Sequence, residues 1–401
     1  MQKEIYLDYA ATTPLDTKVK ASMLPYLGSA FGNPSALYKK GREAKQAVES
    51  SRKSIAGLIG SRPEEIIFTA GGTESNNLAI FGILRAALGQ SKKKFPHIIT
   101  TSIEHASVLE PIKSLQGEGF LASLVKVDSE GIVSPENIKK QIRPETVLVS
   151  VMYANNEIGS IQPIAEIGKL IRQENQKRAA KKLPVIYFHT DACQAAGLLD
   201  INVQKLGVDL MTINGSKIYG PKQSGFLFVR NGLNIKPLMY GGGQEKALRS
   251  GTENVANIVG FSTALKLAQE NKLKESKRLV ALRDYFFEKL NKNISEISLN
   301  GPGLKSAKRL ANNLNISVMG VEGEALLLYL DAQGVYVSTG SSCDSSSGQE
   351  SHVLRAIGLN AKMSESAIRI TLGKITNKKD IDYALQVLVR AVSLLRKSKT
   401  T

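Results

Sequence analysis

Short apolar runs alternate with amphipathic stretches through the first two thirds of the chain. Glu65–Phe68, His97–Thr100, Thr146–Met152, Pro184–His189, Leu210–Ile213 and Gly225–Val229 are each a few residues long and bounded by glycine or polar turns. Runs of that length, without polar alternation, predict strands buried on both faces. Between them, Asn76 to Leu88, the segment carrying Val108 and Leu115, and Ile164 to Ala179 repeat their apolar residues at helical spacing. Strands alternating with helices predict a largely parallel sheet covered by helices on both sides. Past about Gly260 the texture changes. A long charged helical stretch from Thr263 to Leu290 precedes strands at Leu314–Val318, Gly334–Val337 and Ala367–Leu372. Helices are expected near Gly323–Leu330 and from Asp380 to Leu395.

Length and composition make this two domains. The chain has 401 residues, 42% of them hydrophobic, enough for more than one core. The patterning divides it into a large domain, 15–260, and a smaller α/β domain built from 1–14 with 261–401. No apolar stretch is long enough to span a membrane. The first residues lack the apolar core of a signal peptide, and two cysteines make no disulfide framework, so a cytoplasmic protein is expected. The net charge of +17 is spread over dispersed lysines, with local runs at Lys92–Lys94 and between Lys177 and Lys182. No zinc-knuckle, helix-turn-helix or aromatic RNA-binding pattern accompanies them, so direct nucleic-acid reading is not expected. Histidines at 97, 105, 189 and 352 are too scattered to predict a metal site.

The chemistry-bearing residues stand where strands end. Ala70–Asn76 joins a strand to a helix with two glycines and Thr73, a turn that offers free N–H groups to an anion. Taken alone it is also an ordinary capped turn. His105 follows a strand, where a ring could stack on a flat ligand, shuttle a proton or simply cap a helix. Asp191 closes an apolar run, and a carboxylate so placed needs a partner or a task. Gln194 lies one turn on. Lys217 follows Leu210–Ile213 in a glycine-rich turn, where an amine held in a cleft can form a Schiff base with an aldehyde. Together these residues offer an anion cradle, a stacking ring, a partner for a ring nitrogen and an amine. Pyridoxal 5′-phosphate needs all four. Cys343 sits in the polar, glycine-punctuated stretch Val337–Ser351 with nothing apolar to pack on, as expected of a nucleophile on a mobile loop. Cys193 reads instead as a buried structural cysteine.

These segments, in this order, resemble the NifS/IscS-like cysteine desulfurases of the class V aminotransferases. The likeness runs through Tyr6–Pro14, Phe31–Ser35, Gly72–Ile80, Glu104-His105, Asn155–Gly159, Asp191–Gln194, Ser216–Lys222, Arg249–Thr252 and Gly340–Cys343. It implies the type I fold of pyridoxal-phosphate-dependent transferases, a mostly parallel seven-stranded sheet with a smaller α/β domain, working as a homodimer. It implies that Lys217 links the cofactor, His105 stacks on it, and Asp191 pairs with its ring nitrogen. Gln194 and Asn156 would contact its phenolate side. Thr73, Asn214 and Ser216 would face its phosphate, with Thr252 reaching across from the second subunit. Asn33 and Arg369 would hold the carboxylate of L-cysteine, and Cys343 would take its sulfur for delivery to an acceptor protein in iron–sulfur assembly or tRNA thiolation.

The chain departs from the commoner pattern at several places. Asn214 and Ser216 stand where serine and histidine usually precede the lysine, Gln244 replaces a histidine, and Asp344 follows the reactive cysteine. The chain also stops soon after its closing helix, where relatives often carry a scaffold-docking tail. A selenocysteine lyase, another class V lyase, or a non-catalytic complex partner are the alternatives that these residues leave open.

Overall fold

The computed structural model describes residues 4–89, 95–340 and 350–398. Its strands are β1 (Ile5–Tyr6), β2 (Ile66–Thr69), β3 (His97–Thr101), β4 (Leu121–Val125), β5 (Thr146–Ser150), β6 (Tyr187–Asp191), β7 (Leu210–Asn214), β8 (Gly225–Val229), β9 (Ile297–Leu299), β10 (Asn313–Val318), β11 (Val335–Tyr336) and β12 (Ala367–Thr371). Seven of them form the large sheet, in the order β2-β8-β7-β6-β5-β3-β4. Pairings from β7 through β6, β5 and β3 to β4 are parallel, and only β8 runs against its neighbours.

The side-chain period of two sorts each strand between two apolar layers. Ile98, Leu148 and Leu227 pack with Leu78, Ile83, Val108 and Ile112 of the helices Gly72–Leu88 and Ala106–Gly117. Their neighbours Ile99, Val149 and Phe228 turn the other way, onto Ile55, Ile59, Ile167, Ile171 and Phe261. Burying each such side chain contributes roughly 1.5–3 kcal/mol. Unbroken apolar strands thus follow from a sheet covered on both sides.

A second core gathers Ile5 and Leu7 with Leu314, Ile316, Ile368, Ile370, Leu388 and Val392. It is built on the antiparallel sheet β12-β10-β9 and the short parallel pair β1-β11. The helix Val255–Asn293 serves both cores, giving Ile258, Phe261 and Leu265 to the first and Leu279, Phe286 and Leu290 to the second. The chain therefore crosses between cores within a helix, and no turn marks position 260. Edge strand β4 has no counterpart in the sequence reading. Leu121 and Leu124 lie exposed on it, so its apolar pattern does not follow a buried face.

Candidate active site

Parallel pairing puts the carboxyl ends of β3, β5, β6 and β7 on one edge of the large sheet, where ligands bind in open α/β folds. His105, Asn156 and Lys217 follow the ends of β3, β5 and β7, and Asp191 is the last residue of β6. They meet in a cleft of about 240 Å³, lined also by Thr73, Gln194, Asn214 and Arg369. Sequence positions up to 296 residues apart meet there, with Arg369 supplied by β12 of the three-stranded sheet.

Asp191 is buried and its two oxygens are fixed separately. Oδ1 accepts the Cys193 N–H at 2.9 Å and Oδ2 accepts Asn76 Nδ2 at 2.7 Å. Asn76 Nδ2 also donates to Ser107 Oγ at 2.8 Å, and Ser107 Oγ lies 2.8 Å from His105 Nδ1. A backbone N–H can only donate, and that of Ser107 reaches His105 Nδ1 at 3.1 Å. The unprotonated nitrogen is therefore Nδ1, and Nε2 carries the imidazole proton. Asn76 and Ser107 were not singled out from the sequence. Asn76 lay inside the Gly72–Ile80 match, but its bond to Asp191 spans 115 residues.

The turn before the helix Gly72–Leu88 is as tight as its glycines permit. Gly71 has φ +145°, and a Cβ on Gly72 would come within 2.8 Å of Cys193 Sγ. The first N–H groups of a helix have no carbonyl one turn back, so this end favours an anion. Asn214 stands beside the same turn. Its Oδ1 accepts both the N–H and the hydroxyl of Ser216, each at 3.0 Å. Ser216 itself does not line the cleft, and its two bonds orient the Asn214 amide that does.

Lys217 and Gln194 are both tied to the N-terminal segment. Lys217 Nζ donates to the carbonyls of Ala10, at 2.9 Å, and Ala11, and Gln194 Nε2 donates to Ala10 at 3.0 Å. Arg369, on β12, is 1% exposed. Its Nη2 pairs with Asp8 Oδ1 at 2.7 Å and its Nη1 reaches the Asn156 carbonyl at 3.4 Å. Its Nε–H has no acceptor among the described residues. A buried donor left so costs about 1–3 kcal/mol, which an incoming carboxylate would relieve.

Besides Ser216, two expected residues do not line this cleft. Asn33 is exposed, with its Oδ1 accepting the Ser35 N–H at 2.9 Å. Thr252 is exposed on the segment before the long helix. Cys343 lies outside the described residues. Cys193 does line the cleft, and burial, reinforced by the Asp191 carboxylate, pushes its thiol well above the ordinary value. That makes it a poor nucleophile. His189 bonds Ser150 Oγ at 2.8 Å and Thr212 Oγ1 at 3.1 Å, and burial lowers its pKa to about 4. Among the described residues no His, Cys, Asp and Glu cluster could hold a metal ion.

Glu104, beside His105, carries a testable consequence. Burial pushes its carboxyl up from 4.5 to about 8, against the opposing bonds from Thr101 and the Met152 N–H. Below about pH 4.5 both folded and unfolded chains hold this proton. Between about 4.5 and 8 only the folded chain keeps it, so its contribution to stability declines as pH rises, by up to about 1.4 kcal/mol per pH unit. Glu104→Gln cannot titrate. Thermal unfolding from pH 5 to 8 should show the wild type losing more stability than the variant. Equal pH slopes would rule this out.

Comparison with known proteins places this geometry. The family described as aminotransferase class-V matches residues 5–384. Cysteine desulfurase IscS of Dictyoglomus turgidum is 48% identical over 396 residues, covering 99% of this chain and 96% of its own. The protein of the same name from Methanosarcina thermophila is 45% identical, covering 98% and 93%. Among solved structures, a NifS-like protein superposes with a TM-score of 0.89 at 34% identity, over 98% of this chain and all of its own. A NifS-like protein from Rickettsia africae gives 0.84 at 30% identity, over 98% of this chain and 100% of its own. With the cleft residues standing at the ends of the expected strands, this chain belongs to the class V aminotransferase family, in its NifS/IscS-like cysteine desulfurase branch.

Proposed function

We propose that this chain converts L-cysteine to L-alanine and takes the sulfur onto Cys343 as a persulfide, using pyridoxal 5′-phosphate. The observation that carries this reading is the convergence in one cleft of Lys217, Asp191 and a buried Arg369 whose Nε–H has no acceptor among the described residues. The cleft's donors fit the cofactor. The Gly71–Thr73 turn and Asn214 suit its phosphate, Asp191 its protonated ring nitrogen, His105 its ring face, and Lys217 its aldehyde. When bound, pyridoxal phosphate supplies an electron sink conjugated to the substrate's α-carbon.

The remaining work falls to the chain. Arg369 takes the substrate carboxylate and so aims the α-carbon at Lys217. Lys217, whose side chain lines the cleft, would remove and return the substrate's protons. Asp191, fixed at both oxygens, would pair with the cofactor's ring nitrogen. His105 presents Nε2–H, which makes it a donor to the substrate or to the cofactor's oxygen. Gln194 and Asn156 flank it. The Cys343 thiolate then attacks the substrate sulfur. The new S–S bond forms as the C–S bond breaks. The electron pair stays with carbon, which later takes a proton, and the sulfur leaves oxidised by two electrons on Cys343.

Exposed Thr252, and the exposed apolar side chains Leu24, Leu27, Phe31, Leu37 and Tyr240, suit a homodimer in which a second copy completes each phosphate site. Asn33, exposed on the same stretch, would reach the substrate carboxylate from its own chain once that face is covered. An acceptor protein would draw the sulfur from Cys343, in iron–sulfur assembly or tRNA thiolation. No helix among the described residues is long and apolar enough to cross a membrane, and a cytoplasmic setting suits a working thiol.

The test is anaerobic. The purified protein with pyridoxal phosphate is given L-cysteine or L-selenocysteine, and alanine and protein-bound persulfide are measured together. Equal alanine and persulfide in a first turnover from cysteine supports the reading. Cofactor binding without either product, or turnover of selenocysteine alone, overturns it.

A further inference from the structure

We infer that Glu157 is a positioning residue that holds the returning root of the segment carrying the reactive cysteine, beside its departing root, against the catalytic cleft. The inference rests on the functional reading above for the identity of Cys343 and deepens it. Residues 341–349 are not described, but the positions that bracket them are. A Cβ built on Gly340 would lie 3.3 Å from Glu157 Oε2 and 3.8 Å from Ser351 Cβ. Ser351 Oγ donates to the same Oε2 at 2.6 Å. The chain thus leaves at Gly340 and returns at Ser351 beside one carboxylate oxygen.

The backbone that carries that carboxylate is fixed from behind. Glu157 is 1% exposed, and its N–H bonds Asn155 Oδ1 at 2.8 Å. Its carbonyl accepts Asn313 Nδ2 at 3.0 Å and Asn315 Nδ2 at 3.3 Å, both from β10 of the second core. The preceding residue, Asn156, lines the cleft and takes the Arg369 bond at its carbonyl. A third tie lies at the returning root. His352 Nε2 donates to the Glu104 carbonyl at 3.0 Å, one residue before His105. Ser351 Oγ also accepts the Leu354 N–H at 3.2 Å and so starts the helix His352–Ala356. A hydroxyl that donates to Glu157 and caps this helix couples the root to both.

This arrangement gives the reactive segment a fixed origin relative to the cofactor cleft. Loss of the origin should spare substrate binding, which uses Arg369 and Lys217, and slow the sulfur transfer that needs Cys343 at the right distance. Small misplacements of a nucleophile cost about 10-fold to 100-fold in rate.

The experiment compares the wild-type holoenzyme with Ser351→Ala, Ser351→Thr and Glu157→Gln. Steady-state alanine formation gives kcat and KM. Iodoacetamide labelling without substrate, followed by peptide mass mapping, gives the alkylation rate of Cys343. Ser351→Ala and Glu157→Gln should lower kcat about 10-fold with KM within about 2-fold, and change the Cys343 labelling rate by at least about 3-fold. Ser351→Thr, which restores the hydroxyl, should recover both. Wild-type kcat and labelling in Ser351→Ala would overturn the inference. So would a loss confined to cofactor retention or KM, which would mark a merely structural role. If Glu157→Gln does not fold, the two Ser351 variants decide alone. Should the wild type make neither alanine nor persulfide, the functional reading fails, while the labelling comparison still tests the anchor.

Discussion

Lys217→Ala should abolish alanine formation from L-cysteine, by at least about 1,000-fold, while the cleft still takes up pyridoxal phosphate. Loss of a positioned general base or nucleophile costs that much because no other group nearby can replace it. The nearest alternative amine in sequence, Lys222, donates to the Thr13 carbonyl and does not line the cleft. Retention follows from what the variant keeps. The Gly71–Thr73 turn, Asn214 and Asp191 are untouched, so binding becomes reversible instead of vanishing. Gel filtration should strip the cofactor from the variant and leave it on the wild type, whose visible absorbance marks the covalent link. The variant frees the carbonyls of Ala10 and Ala11 from their lysine partner, so a modest drop in melting temperature is expected. An arginine at 217 should keep those bonds and the fold but recover no activity. Turnover within 10-fold of wild type in either variant would remove Lys217 from the chemistry.

What the sequence made legible and what it hid divide along one line. Residues whose roles depend on strand ends were readable, because apolar runs locate the ends and parallel order puts them on one edge. His105, Asp191 and Lys217 belong to that group, and each stands in the cleft. Residues whose roles depend on a partner far along the chain were not. Nothing local in Asn76 or Ser107 says that one carboxamide bridges Asp191 to the His105 hydroxyl relay. Glu157 and Ser351 are 194 residues apart, and Arg52 and Glu245, which form a buried bidentate pair at 2.7 and 2.9 Å, are 193 apart. The Asn214 and Ser216 departures are a milder case. Read singly, each is a weakened phosphate ligand. In the fold Ser216 spends its hydroxyl on Asn214 Oδ1, so the two act as one group whose amide faces the glycine turn. Thr252 and Asn33 rest on resemblance alone, and both lie on the exposed surface of the chain, outside the cleft.

The second large effect is expected at Cys343. Cys343→Ser should reduce alanine formation at least about 100-fold and leave no protein-bound persulfide, with cofactor content and KM for L-cysteine unchanged. Serine has the same shape, but its hydroxyl stays protonated near neutral pH and an oxygen neither attacks divalent sulfur readily nor carries it onward. The other cysteine cannot take over, although it lines the cleft. Cys193 is held as a thiol by burial and by Asp191, its neighbour two residues back, and its sulfur is packed against Gly72. The complementary variant, Cys193→Ala, should therefore keep persulfide on Cys343 and most of the turnover. The pair of variants separates two carriers that the composition alone does not. If Cys193→Ala lost the persulfide and Cys343→Ser kept it, the sulfur would be passing through the cleft wall. The thiol beside Asp191 would then have to ionise against both its burial and an adjacent negative charge.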